Sequence, residues 1–80
     1  MNLYLISQDV NNNYDTYDSA VVQAKSEEEA RKIYPGRKNG LLPDYITYDW
    51  ANPKNVKVQI IGSAAPGIED VVICASYNAG

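Results

Sequence analysis

"AVVQAKSEEEARKIYPG", Ala20–Gly36, is the stretch whose reading decides the fold. Its first five residues alternate. Ala20, Val22 and Ala24 share one face of an extended chain, and Val21 and Gln23 share the other, as a strand requires. The period then changes. Ser26 is placed to accept a hydrogen bond from the Glu29 amide, and the Glu29 carboxylate is placed to reach back to the Ser26 amide, which makes a capping box. Glu27, Glu28 and Glu29 lie at the positive end of the helix dipole, with Arg31 and Lys32 near its negative end. Ala30, Ile33 and Tyr34, spaced i, i+3 and i+4, form one apolar face. Pro35 and Gly36 end the helix. A helix of about two turns does not persist alone in water, so this one must lie on a sheet.

The flanking sequence supplies that sheet. Residues 2–10 predict a first strand, with Leu3 and Leu5 on one face and Tyr4 and Ile6 on the other. Two apolar faces place such a strand inside a sheet rather than at its edge. Asn11–Ser19 is the polar connection to the second strand. Downstream, Asn55–Ile61 predicts a third strand, with Val56, Val58 and Ile60 inward and Lys57 and Gln59 outward. The apolar run Val71–Ala75 predicts a fourth, again central, with Cys74 packed in the core as a small hydrophobe. Between helix and third strand, "GRKNGLLPDYITYDWANP" (Gly36–Pro53) is broken by Gly, Asn and Pro. Within it, Ile46, Tyr48 and Trp50 alternate with Thr47 and Asp49. That pattern fits a short strand or an arm, at about residues 37–54, that lays its aromatics on the core. The expectation is one α+β domain over residues 1–80. Its sheet is small and mostly antiparallel, in β-β-α-β-β order, with one short helix packed on a face.

Composition narrows the function classes. A chain of 80 residues buries only about 60–65% of the surface it exposes when unfolded. Its core is therefore thin, and pairing with a second copy as a homo-oligomer would add to it. The net charge is −3, from 10 acidic and 7 basic residues, which argues against direct nucleic-acid binding. With no histidine, the commonest general base and metal ligand is missing. One cysteine and no imidazole make zinc improbable and exclude a Ser-His or Cys-His pair. No cofactor fingerprint occurs, so no catalytic residue, metal or cofactor is expected, and the protein is read as a non-enzyme. The single Cys74 allows no internal disulfide and fits a reducing compartment. "MNLYLISQDV" lacks the pattern of a signal peptide, and no apolar run approaches a membrane span. A cytosolic protein without membrane contact is expected.

Three groups of residues remain as candidates. Asp15 and Asp18, with Asp9 nearby, do not have the spacing of a calcium loop. They read as turn-capping residues or as partner contacts. Arg31, Lys32, Arg37 and Lys38 flank the Pro35-Gly36 break. They read as a solvated helix end, or as an anion site formed by Arg31, Arg37 and Lys38. The aromatics are seven tyrosines and one tryptophan, with no phenylalanine. Rings with a polar tip favour boundaries between apolar and wet surroundings, and Tyr and Trp dominate protein-protein hot spots. The candidate contact set is Tyr14, Asp15, Tyr17, Asp18, Tyr45, Tyr48 and Trp50.

Three stretches carry a resemblance: "YLISQDVNNNYDTYDSAVVQAKSEEEARKIYP" (Tyr4–Pro35), "VKVQIIG" (Val56–Gly62) and "VVICASYNAG" (Val71–Gly80). Together they resemble small bacteriophage and prophage proteins that read N-N-x-Y-D-T-Y-D-S-A-V-V, continue into an acidic-start helix and finish S-[YF]-N-A-G. The chain departs from them in its shorter central segment and at Tyr34, where similar proteins carry a histidine before the proline. The resemblance implies a phage accessory protein acting in the host cytoplasm, one that binds and blocks a host immune protein or effector complex. It leaves two alternatives. One is an oligomeric sponge for a nucleotide immune signal, with Tyr14, Tyr17 or Tyr77 on the base and Arg31 or Arg37 on phosphate. The other is a structural or virion-associated module.

Overall fold

A computed structural model describes residues 1–43 and 48–79 of the chain. Its centre is an antiparallel hairpin of β1 (Asn2–Ser7) and β2 (Thr16–Ala24). Tyr4 pairs with Val22 and Ile6 with Ala20, and all four are buried. The alternation of Ala20, Val22 and Ala24 therefore describes the core face. β3 (Lys57–Ser63) adds antiparallel to the outside of β1, and β4 (Val72–Asn78) antiparallel to the outside of β2. The order β3-β1-β2-β4 puts the first two strands inside and the last two at the edges. With α1 (Glu27–Arg31) on one face, the molecule is the expected small α+β domain.

Ser26 caps α1: its side chain accepts from the Glu29 amide at 3.2 Å. The return bond of the capping box differs from expectation. The Glu29 carboxylate accepts from the Lys25 amide, 3.3 Å away, rather than from Ser26, because Ser26 is extended and lays Lys25 against the first turn. The helix is also shorter than two turns. Lys32 and Ile33 already donate to carbonyls three residues back, the tighter pattern in which helices end. Ala30, Ile33 and Tyr34 are all buried, although Ile33 and Tyr34 lie beyond the end of the helix. Gly40 then closes the turn at φ +71, donating its amide to the Arg37 carbonyl and accepting from the Tyr34 amide.

Several boundaries differ from the sequence pattern. β2 begins at Thr16, so the connection after β1 covers only residues 8–15. Thr16 and Tyr17 are good strand formers, and the ladder absorbs Asp18 as an irregularity between Tyr17 and Ser19. Ile60, expected inward, pairs with Tyr4 on the edge strand β3 and remains exposed. Val71–Ala75 is not central: β4 is an edge strand. Cys74, paired with Val21 on the face away from α1, is exposed rather than buried. An apolar run reads alike for a strand covered on both faces and for an edge strand with one apolar side, and this run belongs to the second kind. Trp50, expected on the binding surface, is 2% exposed and lies in the core with Ile6, Val22 and Val56. Burying such a side chain contributes on the order of 3 kcal/mol. It belongs to one buried cluster with Ala20, Ala24 and Ala30.

The second sheet face carries Leu3, Leu5 and Val21, all half-buried. Gln23 also points to this side and is buried. Its amide donates to the carbonyls of Ile68 at 2.8 Å and Asp70 at 2.7 Å. These bonds tie down the β3–β4 connection as it crosses from one edge of the sheet to the other. No helix among the described residues is long and apolar enough to cross a membrane.

Candidate functional site

The residues singled out in "NNNYDTYD" (Asn11–Asp18) are held by a glutamine just before them. Gln8 is 6% exposed. Its Oε1 accepts from the Val10 and Asn11 amides, both at 2.8 Å, and its Nε2 donates to the Asn11 carbonyl at 2.9 Å and the Tyr17 carbonyl at 2.8 Å. One side chain thus ties both ends of the connection together. Asn11 Nδ2 in turn donates to the Trp50 carbonyl, and the Thr16 hydroxyl donates to the Asn13 carbonyl at 2.6 Å. Asp15 is the one described non-glycine residue with positive φ, at 62°, a conformation that Asp tolerates better than most. Its amide donates to the Asn78 carbonyl, joining the connection to the end of β4.

This anchoring assembles a tyrosine cluster at one end of the sheet. The rings of Tyr17 and Tyr77, paired across β2 and β4, lie 4.7 Å apart. Tyr34 meets Tyr17 edge-on at 6.4 Å. Acidic groups flank the rings. The Tyr77 hydroxyl donates to Asp15 Oδ1 at 3.3 Å, and the Tyr34 hydroxyl donates to Asp49 Oδ2 at 2.7 Å. Tyr17 donates its amide to the Asp49 carbonyl at 2.7 Å. Asp49 Oδ1 is buried with no hydrogen-bond partner among the described residues. The Tyr77 phenol is held above its usual value of 10.0, first by lost solvation and then by the Asp15 carboxylate. It therefore remains a hydrogen-bond donor throughout the physiological range.

Comparison with protein-family models, curated proteins and solved structures finds no match to this chain.

The expected contact residues separate into distinct groups. Tyr14 and Tyr48 are 74% and 82% exposed, and Asp15 and Asp18, close to Tyr14 in sequence, are exposed as well. Tyr17 is half-buried in the ring cluster and acts mainly as packing. The burial of Trp50 removes its ring from any contact surface. Tyr45 lies outside the described residues. Tyr34, Asp49 and Tyr77 complete the cluster without having been in the expected contact set. For Tyr77 a signal existed in the S-Y-N-A-G end. For Asp49 there was none, because its role depends on a chain crossing that no local pattern encodes.

Among the described residues, no hydrogen bond or ion pair joins the basic side chains to this cluster. Arg31 donates to the Val56 carbonyl and pairs with Glu27 at 3.2 Å, so its guanidinium joins the helix to the residue before β3. Arg37 and Lys38 are exposed. The Lys38 carbonyl accepts from the Val71 and Val72 amides, at the start of β4. Tyr77 stands near the other end of that strand, about 17 Å away at ~3.3 Å per residue. Among the described residues, no group of three or more His, Cys, Asp or Glu side chains could hold a metal ion.

Proposed function

We propose that the protein is a non-enzymatic binding module whose contact surface is the exposed Tyr14 and Tyr48 with Asp15 and Asp18. The observation that carries this reading is two large rings, 74% and 82% exposed, beside a connection that Gln8 holds in one conformation. Backbone held before binding loses little entropy on binding, and a Tyr side chain has only two rotatable angles to order. Acidic residues around it suit a partner with a basic or mixed surface. The resemblance of the Asn11–Val22 and Ser76–Gly80 stretches to small phage proteins supports a setting in the host cytoplasm, with a host protein or effector complex as the partner. The nucleotide alternative is less favoured, because Arg31 is engaged by the Val56 carbonyl and Glu27 and the Lys38 backbone is at the far end of β4 from Tyr77.

The test pairs Tyr14→Ala with Tyr48→Ala, leaving the half-buried Tyr17 in place. Tagged wild-type protein expressed in bacteria susceptible to phage is expected to retain one stoichiometric partner that the double variant loses at unchanged melting temperature. Recovery of the same partner with both proteins would refute the assigned surface. A nucleotide extracted from the purified protein, with no protein partner, would replace this reading with the sponge.

A further inference from the structure

The two sheet edges are not equally protected. β3 begins with Lys57, which pairs with Asp9 at 3.3 Å, and its ladder is interrupted between Leu3 and Tyr4. A lysine and a bulge are ordinary ways of blunting an edge. β4, "VICASYN", has irregularities of its own, between Tyr17 and Ser19 and between Val21 and Val22, but it contains no charge and no proline, and Ile73 to Asn78 are all exposed. Its start is occupied, since Val71 and Val72 donate to the Lys38 carbonyl. Beyond Val72, no described backbone group pairs with its outer edge.

The side chains on β4 are arranged symmetrically. Its central residue is Ala75, and its two exposed large apolar residues, Ile73 and Tyr77, stand two positions to either side. Tyr77 packs on Tyr17 and Ala75 pairs with the buried Ala20, while Ile73 is the extra residue between the Val22–Val72 and Val21–Cys74 pairs. We infer that β4 is a self-association edge that pairs antiparallel with β4 of a second copy about a two-fold axis at Ala75. In that register each Ile73 lies opposite Tyr77 of the second copy, a β-branched residue against an aromatic, which is a favourable cross-strand pair. Cys74 lies opposite Ser76, and no charge meets a like charge. The two-fold makes the surface self-complementary, and one sheet runs through both copies. The core side of β2 and β4, covered only thinly in one chain, is continued by the second.

The test is sedimentation of the full chain over about 5–500 µM, because an interface this small associates weakly. Wild type is expected to rise from 8.9 kDa toward twice that mass. Ala75→Lys and Ala75→Glu each place like charges opposite one another and are expected to remain monomeric. An equimolar mixture is expected to recover the dimer, which also shows that both variants fold. A wild type that stays at 8.9 kDa throughout would overturn the inference, as would dimerisation undiminished in either charge variant. A dimer lost instead through Ile60→Lys would assign association to β3 and equally overturn it. The partner test on Tyr14 and Tyr48 is read separately, so a monomer that still holds its partner removes this inference alone.

Discussion

Replacing Gln8 by glutamate changes one atom in the group that holds the Asn11–Asp18 connection. The introduced carboxylate still accepts from the Val10 and Asn11 amides, but it has no proton to donate to the Asn11 and Tyr17 carbonyls. Two buried hydrogen bonds are lost, and two oxygen-oxygen contacts replace them. At about 1 kcal/mol per net bond, with more for each acceptor left unsatisfied, Gln8→Glu costs about 2–4 kcal/mol at neutral pH. For a domain of this size that is a fall in Tm of about 10–25 °C. Protonation restores a donor, so the folded state raises the pKa of the introduced carboxyl above its unfolded value of about 4.3. The deficit relative to wild type is therefore smallest below about pH 4.3 and grows as pH rises through the raised folded value. Thermal melts of both proteins at matched pH values measure this difference directly. Hydrogen exchange adds a second reading: the Val10 and Asn11 amides keep protection in Gln8→Glu and lose it in Gln8→Ala. A Tm within about 3 °C of wild type at neutral pH, with no narrowing toward acid, would refute the role given to Gln8.

Three further outcomes follow from the packing. Gly40→Ala strains a φ of +71 and places a Cβ 2.9 Å from both Ile33 Cγ2 and Val71 Cγ1; a loss of about 2 kcal/mol is expected in urea titration. Tyr34→Phe removes the hydroxyl bound to Asp49, a carboxylate whose other oxygen is already without a partner among the described residues, and should cost about 1–3 kcal/mol in the same assay. Asp15→Asn removes a charge that raises the Tyr77 phenol, so that tyrosine should ionise at lower pH than in wild type, as read by ring-labelled NMR titration. An unchanged Tyr77 titration would remove Asp15 as a cause of its shift.

The pattern from Ala20 to Gly36 encodes the fold because each of its signals is local. Strand alternation, the Ser26 cap, the acidic first turn and the Pro35-Gly36 stop are read from neighbours at most four residues apart. β1 was legible as an interior strand because Tyr4 and Ile6 are backed by Leu3 and Leu5. The status of β4 was not legible, since sheet order depends on long connections and an apolar run carries no mark of its rank in the sheet. Cys74 was misplaced with it. Tyr14 and Tyr48 could be picked out as boundary rings, but the same reasoning also chose Trp50, which serves the core. Its indole is buried in a cluster drawn from β1, β2, α1 and the segments that flank them, and no window of sequence shows that assembly.

The order β3-β1-β2-β4 has a consequence for synthesis. Val22 of β2 pairs with Val72 of β4, roughly 50 residues later along the chain. At about 5–20 residues per second, the hairpin of β1 and β2 stands for several seconds with the outer edge of β2 unpaired as the chain emerges. During that interval Ala20 and Val22 lie on a strand open on one side, and Asp18 and Ser19 are the polar residues at its exposed margin. The nascent chain is thus most vulnerable to wrong pairing along β2, the strand that ends as the most fully enclosed.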